Sequence, residues 1–192
     1  MKKYILASSS PRRRDLLKKA GYEFEIIKPD YDVETLFDID FDELKAKGIK
    51  AVMFDLDSTV MPSKSGQFPS EVLELFTKLE EKGFTLAIVS NNAKKNYMEK
   101  VRTQVNFTVI EKAKKPNTKV MKEFLSSKNI LPEESVLIGD RPLTDILAGK
   151  FLGSMTILVD SITKDTENKL TRIVEPLNFY LKDKFHFHLS SY

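Results

Sequence analysis

The stretch that decides the fold is AVMFDLDST, residues 51–59, where an uninterrupted apolar run ends in two aspartates. A short apolar run of this kind is typical of a strand that is buried on both faces, as in a parallel sheet. Asp55 and Asp57 lie two residues apart, so an extended backbone turns both carboxylates in similar directions. The stretch predicts a central strand that delivers a carboxylate pair to one end of a sheet.

Three further polar motifs adjoin apolar runs of the same type. They are SNN at 90–92 after LAIV, KKP at 114–116 after FTVI, and GDRPLTD at 139–145 after VLI. Parallel sheets bind ligands at the carboxyl ends of their strands. Two carboxylate pairs, a hydroxyl and a lysine are the groups that transfer of a phosphoryl group with a divalent metal requires. We therefore expect the four motifs to form one phosphoryl-transfer site.

Between these motifs, strand-like and helix-like segments alternate along the chain. This alternation favours an α/β fold, a three-layer Rossmann-like parallel sheet with helices on both faces. Pro176 interrupts a last helix-like segment at 165–184. The predicted strands are 50–55, 84–89, 107–110, 135–138 and 154–159, and the predicted helices are 41–47, 69–82, 93–103, 117–128 and 142–151.

Composition limits the possible classes of protein. The chain of 192 residues is long enough for one good core, and it has no cysteine, which excludes disulfides and thiolate chemistry. No apolar stretch approaches the roughly 18 residues that span a bilayer, and the apolar part of the first ten residues is too short for a signal peptide. We expect a cytoplasmic protein.

Charge is unevenly distributed along the chain. Residues 1–28 contain eight basic and three acidic residues, a net charge of +5, whereas the rest contains 23 basic and 25 acidic residues, a net charge of −2. The body therefore gives no argument for specific nucleic-acid binding. The head has its own pattern, with strand-like segments at 4–7 and 23–27 and a helix-like segment at 11–20. We expect two units, an incomplete N-terminal segment at 1–28 and the main domain at 29–192.

Each candidate residue also has a purely structural interpretation. An Asp-x-Asp pair is frequent in turns and calcium loops, although the glycine and glutamate of a calcium loop do not follow Asp57. Ser90 and Asp140 stand where helix caps are common. Lys115 lies in a lysine run that could simply be solvated, and the neighbouring proline favours Lys115 over Lys114 only modestly.

Residues 50–159 resemble the haloacid dehalogenase (HAD) superfamily of phosphatases through the motifs FDLDST, VSNN, AKKP and GDRPLTD. Roughly 28–185 more narrowly resembles its YqeG-like branch, which is related to phosphatidylglycerophosphate phosphatases. The resemblance implies a magnesium-dependent phosphatase that hydrolyses a phosphomonoester. The second aspartate, Asp57, indicates a phosphatase rather than a dehalogenase of the same superfamily.

The resemblance also implies a role for each motif residue. Asp55 is the nucleophile that forms an aspartyl-phosphate, and Asp57 is the general acid and then the base that activates water. Ser90, Asn91 and Lys115 hold the phosphoryl oxygens. The implied Mg²⁺ ligands are Asp55, the backbone carbonyl of Asp57, and Asp140, with Asp145 as a further ligand or as support.

The chain departs from the usual family pattern at two places, and the spacing between its motifs limits what the fold can contain. Ser58 stands where the relatives usually carry asparagine, and Arg141-Pro142 replaces a more typical polar–apolar pair. Asp57 and Ser90 are separated by 32 residues, and Ser90 and Lys115 by 24, which leaves no room for a cap domain. An open site suits a large substrate such as a lipid headgroup, with the loop 61–68 as the one small lid candidate. The lysines on this face could attract an anionic lipid surface or be merely solvated: Lys94, Lys95, Lys112, Lys114 and Lys115.

The head carries a second resemblance. Residues 5–17, ILASSSPRRRDLL, are similar to the opening of Maf-type nucleoside triphosphate pyrophosphatases. The later motifs of that family do not follow, so we expect a remnant without pyrophosphatase activity. Two other hypotheses remain open, a low-turnover binding or scaffold protein with this fold, and a nucleotide-binding protein acting through Arg12–Arg14.

Overall fold

A computed structural model describes residues 4–6, 24–26 and 28–162 of the chain. Within 28–162, six strands form one parallel sheet in the order β3-β8-β7-β4-β5-β6. The first two strands of the chain pair with each other in a separate parallel pair, with Tyr4 opposite Phe24. The strands are β1 (Tyr4–Leu6), β2 (Phe24–Ile26), β3 (Tyr31–Val33), β4 (Ala51–Phe54), β5 (Thr85–Val89), β6 (Thr108–Ile110), β7 (Ser135–Gly139) and β8 (Met155–Val159).

Five α-helices connect the strands in the described part of the chain. Short 3-10 turns at Leu36–Asp38 and Pro132–Glu134 precede α1 and β7, and a π-helical turn at Pro142–Ile146 leads directly into α5. The α-helices are α1 (Phe41–Ala46), α2 (Ser70–Glu81), α3 (Lys95–Arg102), α4 (Lys119–Ser127) and α5 (Leu147–Leu152).

The sheet separates two hydrophobic cores, because successive residues of each buried strand point to opposite faces. On β4, Val52 and Phe54 pack with α1, α2 and α3, whereas Ala51 and Met53 pack with α4 and α5. All four residues of β4 are fully buried. This is the predicted three-layer arrangement, in which continuous apolar runs form central strands.

The described elements follow the sequence prediction with boundaries shifted by one or two residues, apart from two larger differences. Tyr31–Val33 forms an edge strand against β8, which the sequence analysis did not predict. The predicted helix 142–151 is divided, because residues 142–146 form a π turn before the α-helix starts at Leu147. The strand Tyr31–Val33 is short and half-exposed, so its apolar pattern in the sequence is weak.

The edge strand is fixed by a residue just ahead of it. Asp30 accepts hydrogen bonds from the backbone amide of Thr156 at 2.8 Å and from its hydroxyl at 2.9 Å, and forms an ion pair with Lys150 at 2.6 Å. Burial acts to raise the pKa of Asp30, but Lys150 and Thr156 outweigh it and hold the pKa below its ordinary value. Asp30 therefore ties the residues just before β3 to β8, the last described strand.

Several expectations lie outside the described residues. They are the predicted helix 11–20, the serine–arginine loop of the head and the helix-like segment 165–184. Among the helices that the structure does describe, none has the length and apolarity needed to cross a membrane.

Candidate active site

The four sequence motifs meet at the carboxyl ends of the strands, because each follows a strand of one parallel sheet. The backbone amide of Asp55 extends the β4 ladder by donating to the carbonyl oxygen of Ile138 at 2.8 Å. In the same way the amide of Ser90 donates to the carbonyl oxygen of Ile110 at 2.9 Å. Hydrogen bonds of the sheet thus set the positions of Asp55 and Ser90 relative to the neighbouring strands.

Lys115 lies among these strand ends, and it is 1% exposed. Its ammonium group contacts Asp55 Oδ1 at 2.5 Å and Asp145 Oδ1 at 2.7 Å. The side chain of Asn91 fixes the backbone of Lys115, accepting from its amide at 2.6 Å and donating to its carbonyl at 3.1 Å. The neighbouring Lys114 is exposed and has a φ of 56°, so the backbone directs Lys115 into the site.

Asp145 reaches the site because the π turn brings it against the end of β7. Its Oδ2 accepts from the backbone amide of Arg141 at 3.0 Å. A Cβ atom at Gly139 would lie 2.5 Å from Cβ, Cγ and Oδ2 of Asp145, which no side chain permits. Glycine is therefore required at 139 for the approach of Asp145 to the strand end.

Asp140 completes a cluster of carboxylates. Oxygen atoms of Asp55, Asp140 and Asp145 all lie within 4.8 Å of one another, and all three residues are buried. The hydroxyl of Thr59 donates to Asp140 Oδ1 at 3.2 Å. Arg141 Nε lies 4.0 Å from Asp140 Oδ2. Three carboxylates therefore face two cationic side chains here, an excess of negative charge that favours a cation.

Asp57 is half-buried and lies apart from this carboxylate cluster. The hydroxyl of Tyr97 donates to Asp57 Oδ1 at 2.5 Å. Longer contacts of 3.4 Å join Oδ1 to the backbone amide of Lys64 and Oδ2 to the side-chain amide of Asn92. The two aspartates of the first motif thus have different surroundings, Asp55 beside a buried lysine and Asp57 beside neutral donors.

Ser90 is buried, and its hydroxyl accepts from the backbone amide of Asn92 at 3.0 Å. The sequence analysis placed the SNN motif at the start of a helix, but α3 begins only at Lys95, and residues 90–92 form a loop. Asn91 supports Lys115 through its side chain, which is a different contact from the phosphate contact implied by the family resemblance.

The surroundings of Asp55, Lys115 and Tyr97 shift the pKa of each side chain. Burial raises the pKa of Asp55 to about 6, against the lowering effect of Lys115, and Asp145 adds to the rise. Burial acts to lower the pKa of Lys115, but the charges of Asp145 and Asp55 outweigh it and raise that pKa. Lys115 is therefore charged at neutral pH. Burial and the bond to Asp57 raise the pKa of Tyr97, so its hydroxyl stays a hydrogen-bond donor.

Above these residues lies an open cleft of about 220 Å³. Its floor is formed by the motif residues Asp55, Ser90 and Lys115, and its rim includes Lys64 and Lys94. Both rim lysines are exposed. The interval between Asp57 and Ser90 contains the loop 62–69, α2 and β5, and in this described region no further domain covers the cleft.

Sequence reasoning missed Tyr97, Thr59 and Lys64. Each lies near a motif, but none has a signal of its own in the sequence. In the sequence, Tyr97 belongs to a helix face whose pattern is typical of core packing, and Thr59 belongs to a stretch that is typical of a turn. Lys64 enters the site through a loop in which it adopts a φ of 64°. Only the three-dimensional contacts reveal what these side chains do.

Comparisons with known proteins agree with this arrangement. The chain matches the family described as "Mitochondrial PGP phosphatase" over residues 16–163. It is 32% identical over 131 residues to "Probable phosphatase YqeG" of Bacillus subtilis, a match that covers 68% of this chain and 76% of the relative. It is 26% identical over 165 residues to "Phosphatidylglycerophosphate phosphatase 1, chloroplastic/mitochondrial" of Arabidopsis thaliana, covering 82% of this chain but 47% of that relative.

A solved structure shares the fold. An uncharacterized protein from Listeria monocytogenes serotype 4b superimposes with a TM-score of 0.51 at 16% identity, covering 71% of this chain and 99% of the other. Fold, motifs and relatives together define a phosphatase of the HAD superfamily, a hydrolase of phosphoric monoesters. Within that superfamily, the chain belongs to the mitochondrial PGP phosphatase family.

The residues of the cluster suit a hard divalent cation. Carboxylate oxygens are the preferred ligands of Mg²⁺, which binds poorly to sites rich in nitrogen or sulfur. Asp55, Asp140 and Asp145 supply such oxygens, and within the described residues no histidine or cysteine belongs to the cluster. The donor set therefore fits Mg²⁺.

Proposed function

We propose that the chain is a Mg²⁺-dependent phosphomonoesterase that works through an aspartyl-phosphate on Asp55. The observation that supports this most directly is the contact of the Lys115 ammonium group with Asp55 Oδ1 at the floor of an open cleft. This contact keeps a buried carboxylate charged and oriented towards the space where a phosphoryl group would bind. A carboxylate in that state can attack phosphorus.

In the first step an oxygen of Asp55 attacks phosphorus, and the bond from phosphorus to the leaving oxygen breaks. Asp57 donates a proton to that leaving oxygen, which departs as an alcohol. Lys115 and the hydroxyl of Ser90 bind the non-bridging phosphoryl oxygens, whose charge increases in the transition state. The half-buried position of Asp57 at the cleft wall suits it for contact with a leaving group on the solvent side.

In the second step water attacks the aspartyl-phosphate, and Asp57, now a carboxylate, accepts a proton from that water. The bond between phosphorus and the Asp55 oxygen breaks, which releases inorganic phosphate and restores both aspartates. Each proton that Asp57 donates in the first step is regained in the second. The residue thus acts once as an acid and once as a base.

Mg²⁺ would be held by Asp55, Asp140 and the backbone carbonyl of Asp57, with Asp145 as a ligand or as a support for Lys115. When bound, the ion supplies positive charge that screens the Asp55 carboxylate from the phosphoryl dianion. Thr59 and the backbone amide of Arg141 orient the ligand carboxylates through their hydrogen bonds to Asp140 and Asp145.

We further propose a phosphorylated glycerol headgroup, such as that of phosphatidylglycerophosphate, as the substrate. The name of the Arabidopsis relative supports this, as do the uncovered cleft and the exposed lysines Lys64 and Lys94 at its rim. Such a substrate lies at a membrane surface, so the proposal includes peripheral contact from a cytoplasmic location. Basic side chains near a membrane surface are attracted to its anionic lipids.

The main domain is proposed to extend from residue 29 to 192, with residues 1–28 as a separate segment resembling the Maf-type start. The anchoring of Asp30 to Thr156 supports a boundary just before residue 30. This segment is proposed to lack pyrophosphatase activity. Incubation of the full chain with nucleoside triphosphates should release no pyrophosphate, and release that depended on Arg12–Arg14 would contradict the proposal.

The test of the main proposal is hydrolysis of 4-nitrophenyl phosphate by the full chain with and without Mg²⁺. Wild-type protein should turn over the ester only with the metal, and Asp55→Asn should reduce turnover by at least about 10³-fold because no nucleophile remains. Acid quenching during turnover of ³²P-labelled substrate should trap label on the wild type alone. A folded wild-type protein that is inert with the metal would contradict the proposal.

The substrate assignment has its own test. Vesicles containing phosphatidylglycerophosphate should be hydrolysed faster than soluble glycerol phosphate at equal phosphate concentration. The double variant Lys64→Gln/Lys94→Gln should lower hydrolysis of the vesicles more than turnover of 4-nitrophenyl phosphate. Equal rates on both substrates would contradict the lipid assignment and leave the phosphatase activity standing.

A further inference from the structure

Tyr97 on α3 makes the shortest contact to the proposed acid and base. Its hydroxyl lies 2.5 Å from Asp57 Oδ1, whereas the other two donors to this carboxylate lie at 3.4 Å. Donor–acceptor distances near 2.5 Å belong to the short end of hydrogen bonds between a hydroxyl and a carboxylate. Tyr97 is thus the dominant hydrogen-bond partner of the Asp57 side chain in the described part of the chain.

The ring of Tyr97 contacts two residues of the loop 61–68. It packs against the backbone at Gly66, where an added Cβ would lie 3.4 Å from the ring, and its hydroxyl lies 3.9 Å from Met61 Sδ. Just after the end of α3, Gln104 contacts the same loop, accepting from the amide of Phe68 at 3.0 Å and donating to the carbonyl of Gly66 at 3.0 Å. The loop 61–68 therefore contacts α3 through Tyr97 and the residues just after α3 through Gln104.

We propose that Tyr97 is a positioning residue that holds the Asp57 carboxyl group in the direction of the leaving oxygen. This inference rests on the proposed function, because it assigns a role to Tyr97 only if Asp57 is the general acid and base. Tyr97 is not among the residues that line the cleft, and the short contact of its hydroxyl is to Asp57. Nothing in the sequence motifs specifies it.

Loss of the Tyr97 hydroxyl should affect different esters to different extents, depending on their leaving groups. Asp57 is partly exposed to solvent, so without Tyr97 the carboxyl group can rotate about its side-chain bonds and spend less time aligned with the leaving oxygen. Loss of alignment reduces proton donation, and this matters only for leaving groups that need a proton to depart. A stable phenolate such as 4-nitrophenolate departs without one.

The experiment compares wild type and Tyr97→Phe on 4-nitrophenyl, phenyl and 4-methoxyphenyl phosphate with saturating Mg²⁺. The variant keeps the ring and removes only the hydroxyl. We expect kcat/KM to fall about ten- to thirtyfold for phenyl and 4-methoxyphenyl phosphate, but less than about threefold for 4-nitrophenyl phosphate. The plot of log kcat/KM against leaving-group pKa should therefore become steeper, with the half-saturating Mg²⁺ concentration unchanged.

Tyr31→Phe is the matched control. Tyr31 also carries a hydrogen-bonded hydroxyl, which contacts Glu43 and Lys47, but it lies on the edge strand β3. This control should retain the wild-type slope. An equal loss of kcat/KM on all three esters in Tyr97→Phe, or no loss at all, would overturn the proposal, because a structural defect affects every ester alike. Turnover of 4-nitrophenyl phosphate by the wild type tests the phosphatase proposal separately.

Discussion

The ammonium group of Lys115 is bound by two carboxylates that come from distant parts of the chain. Asp55 follows the central strand β4, and Asp145 lies beyond β7. A buried ion pair contributes little net stability, but removal of one partner leaves a charge that costs about 3–5 kcal/mol. The arrangement is therefore explained better by function than by stability, since it fixes a cation and a carboxylate side by side inside a cleft.

The raised pKa of Asp55 predicts how stability changes with pH in metal-free protein. In the folded state this pKa is about 6, above the unfolded value of 3.8, so the folded protein binds more protons between these values. The free energy of unfolding should thus fall as pH rises from about 4 to 6, by about 2–3 kcal/mol from this group alone.

Urea denaturation in the presence of EDTA, at several pH values between 4 and 7, measures this dependence. Asp55→Asn removes the titrating group, so its stability should be flatter over the same range. The difference between the two proteins isolates Asp55 from the other acidic groups. Parallel curves for wild type and variant would show that the Asp55 pKa is not raised in the folded state.

At the scale of the element, α5 packs so closely on β8 that one glycine is required. A Cβ atom at Gly149 would lie 2.3 Å from the Thr156 Cγ2 methyl group, while its next contacts lie at 3.5 Å or more. Gly149→Ala should therefore lower the free energy of unfolding by about 1–3 kcal/mol, through overpacking.

Thr156→Ser provides the compensating change. Serine lacks the Cγ2 methyl group but keeps the hydroxyl that donates to Asp30 at 2.9 Å. The double variant Gly149→Ala/Thr156→Ser should regain most of the stability lost in Gly149→Ala, as measured by urea denaturation at fixed Mg²⁺. Additive destabilisation in the double variant would show that this methyl contact is not the cause.

Elements with a strong periodic pattern were predictable from the sequence, and those fixed by one tertiary contact were not. The runs that became β4, β5 and β7 are continuous apolar stretches, and the sequence predicted them closely. The strand Tyr31–Val33 was missed because its pairing depends on Asp30 and on β8. The π turn at Pro142–Ile146 was also missed, since a tightened or widened turn leaves no trace in hydrophobic spacing.

The same distinction applies to the site. The motif residues Asp55, Lys115, Asp140 and Asp145 could be collected from the sequence because all stand after strands of one parallel sheet. Tyr97 could not, because its hydroxyl comes to Asp57 from the first turn of a helix, away from the ends of the strands. Hydrophobic periodicity indicates which face of a helix is buried. It carries no information on which residue a hydroxyl at the border of that face contacts.

For the molecule as a whole, metal binding should stabilise the fold. The three buried carboxylates repel one another in the metal-free state, and a ligand that binds only folded protein stabilises it by about 2.7 kcal/mol at one hundred times its Kd. We expect Mg²⁺ to raise the Tm of the wild type in a concentration-dependent way. The shift should be much smaller in Asp140→Asn.

Asp32→Asn serves as the control for this measurement, because Asp32 is an exposed carboxylate on β3. It should retain the full Mg²⁺-dependent shift. Differential scanning fluorimetry over a Mg²⁺ series, at constant ionic strength, distinguishes specific binding from screening by salt. An identical shift in Asp140→Asn and wild type would exclude Asp140 as a ligand.

The order of strands in the sheet has a consequence for synthesis of the chain on the ribosome. The edge strand β3 precedes the central strand β4 in the chain, yet it pairs with β8, and the contact of Asp30 with Thr156 spans 126 positions. The units from β4 to β6 can pair as they emerge, whereas β3 must wait until β8 has been translated. The first strand of the sheet is thus the last to join it, and docking of β3 marks completion of the sheet.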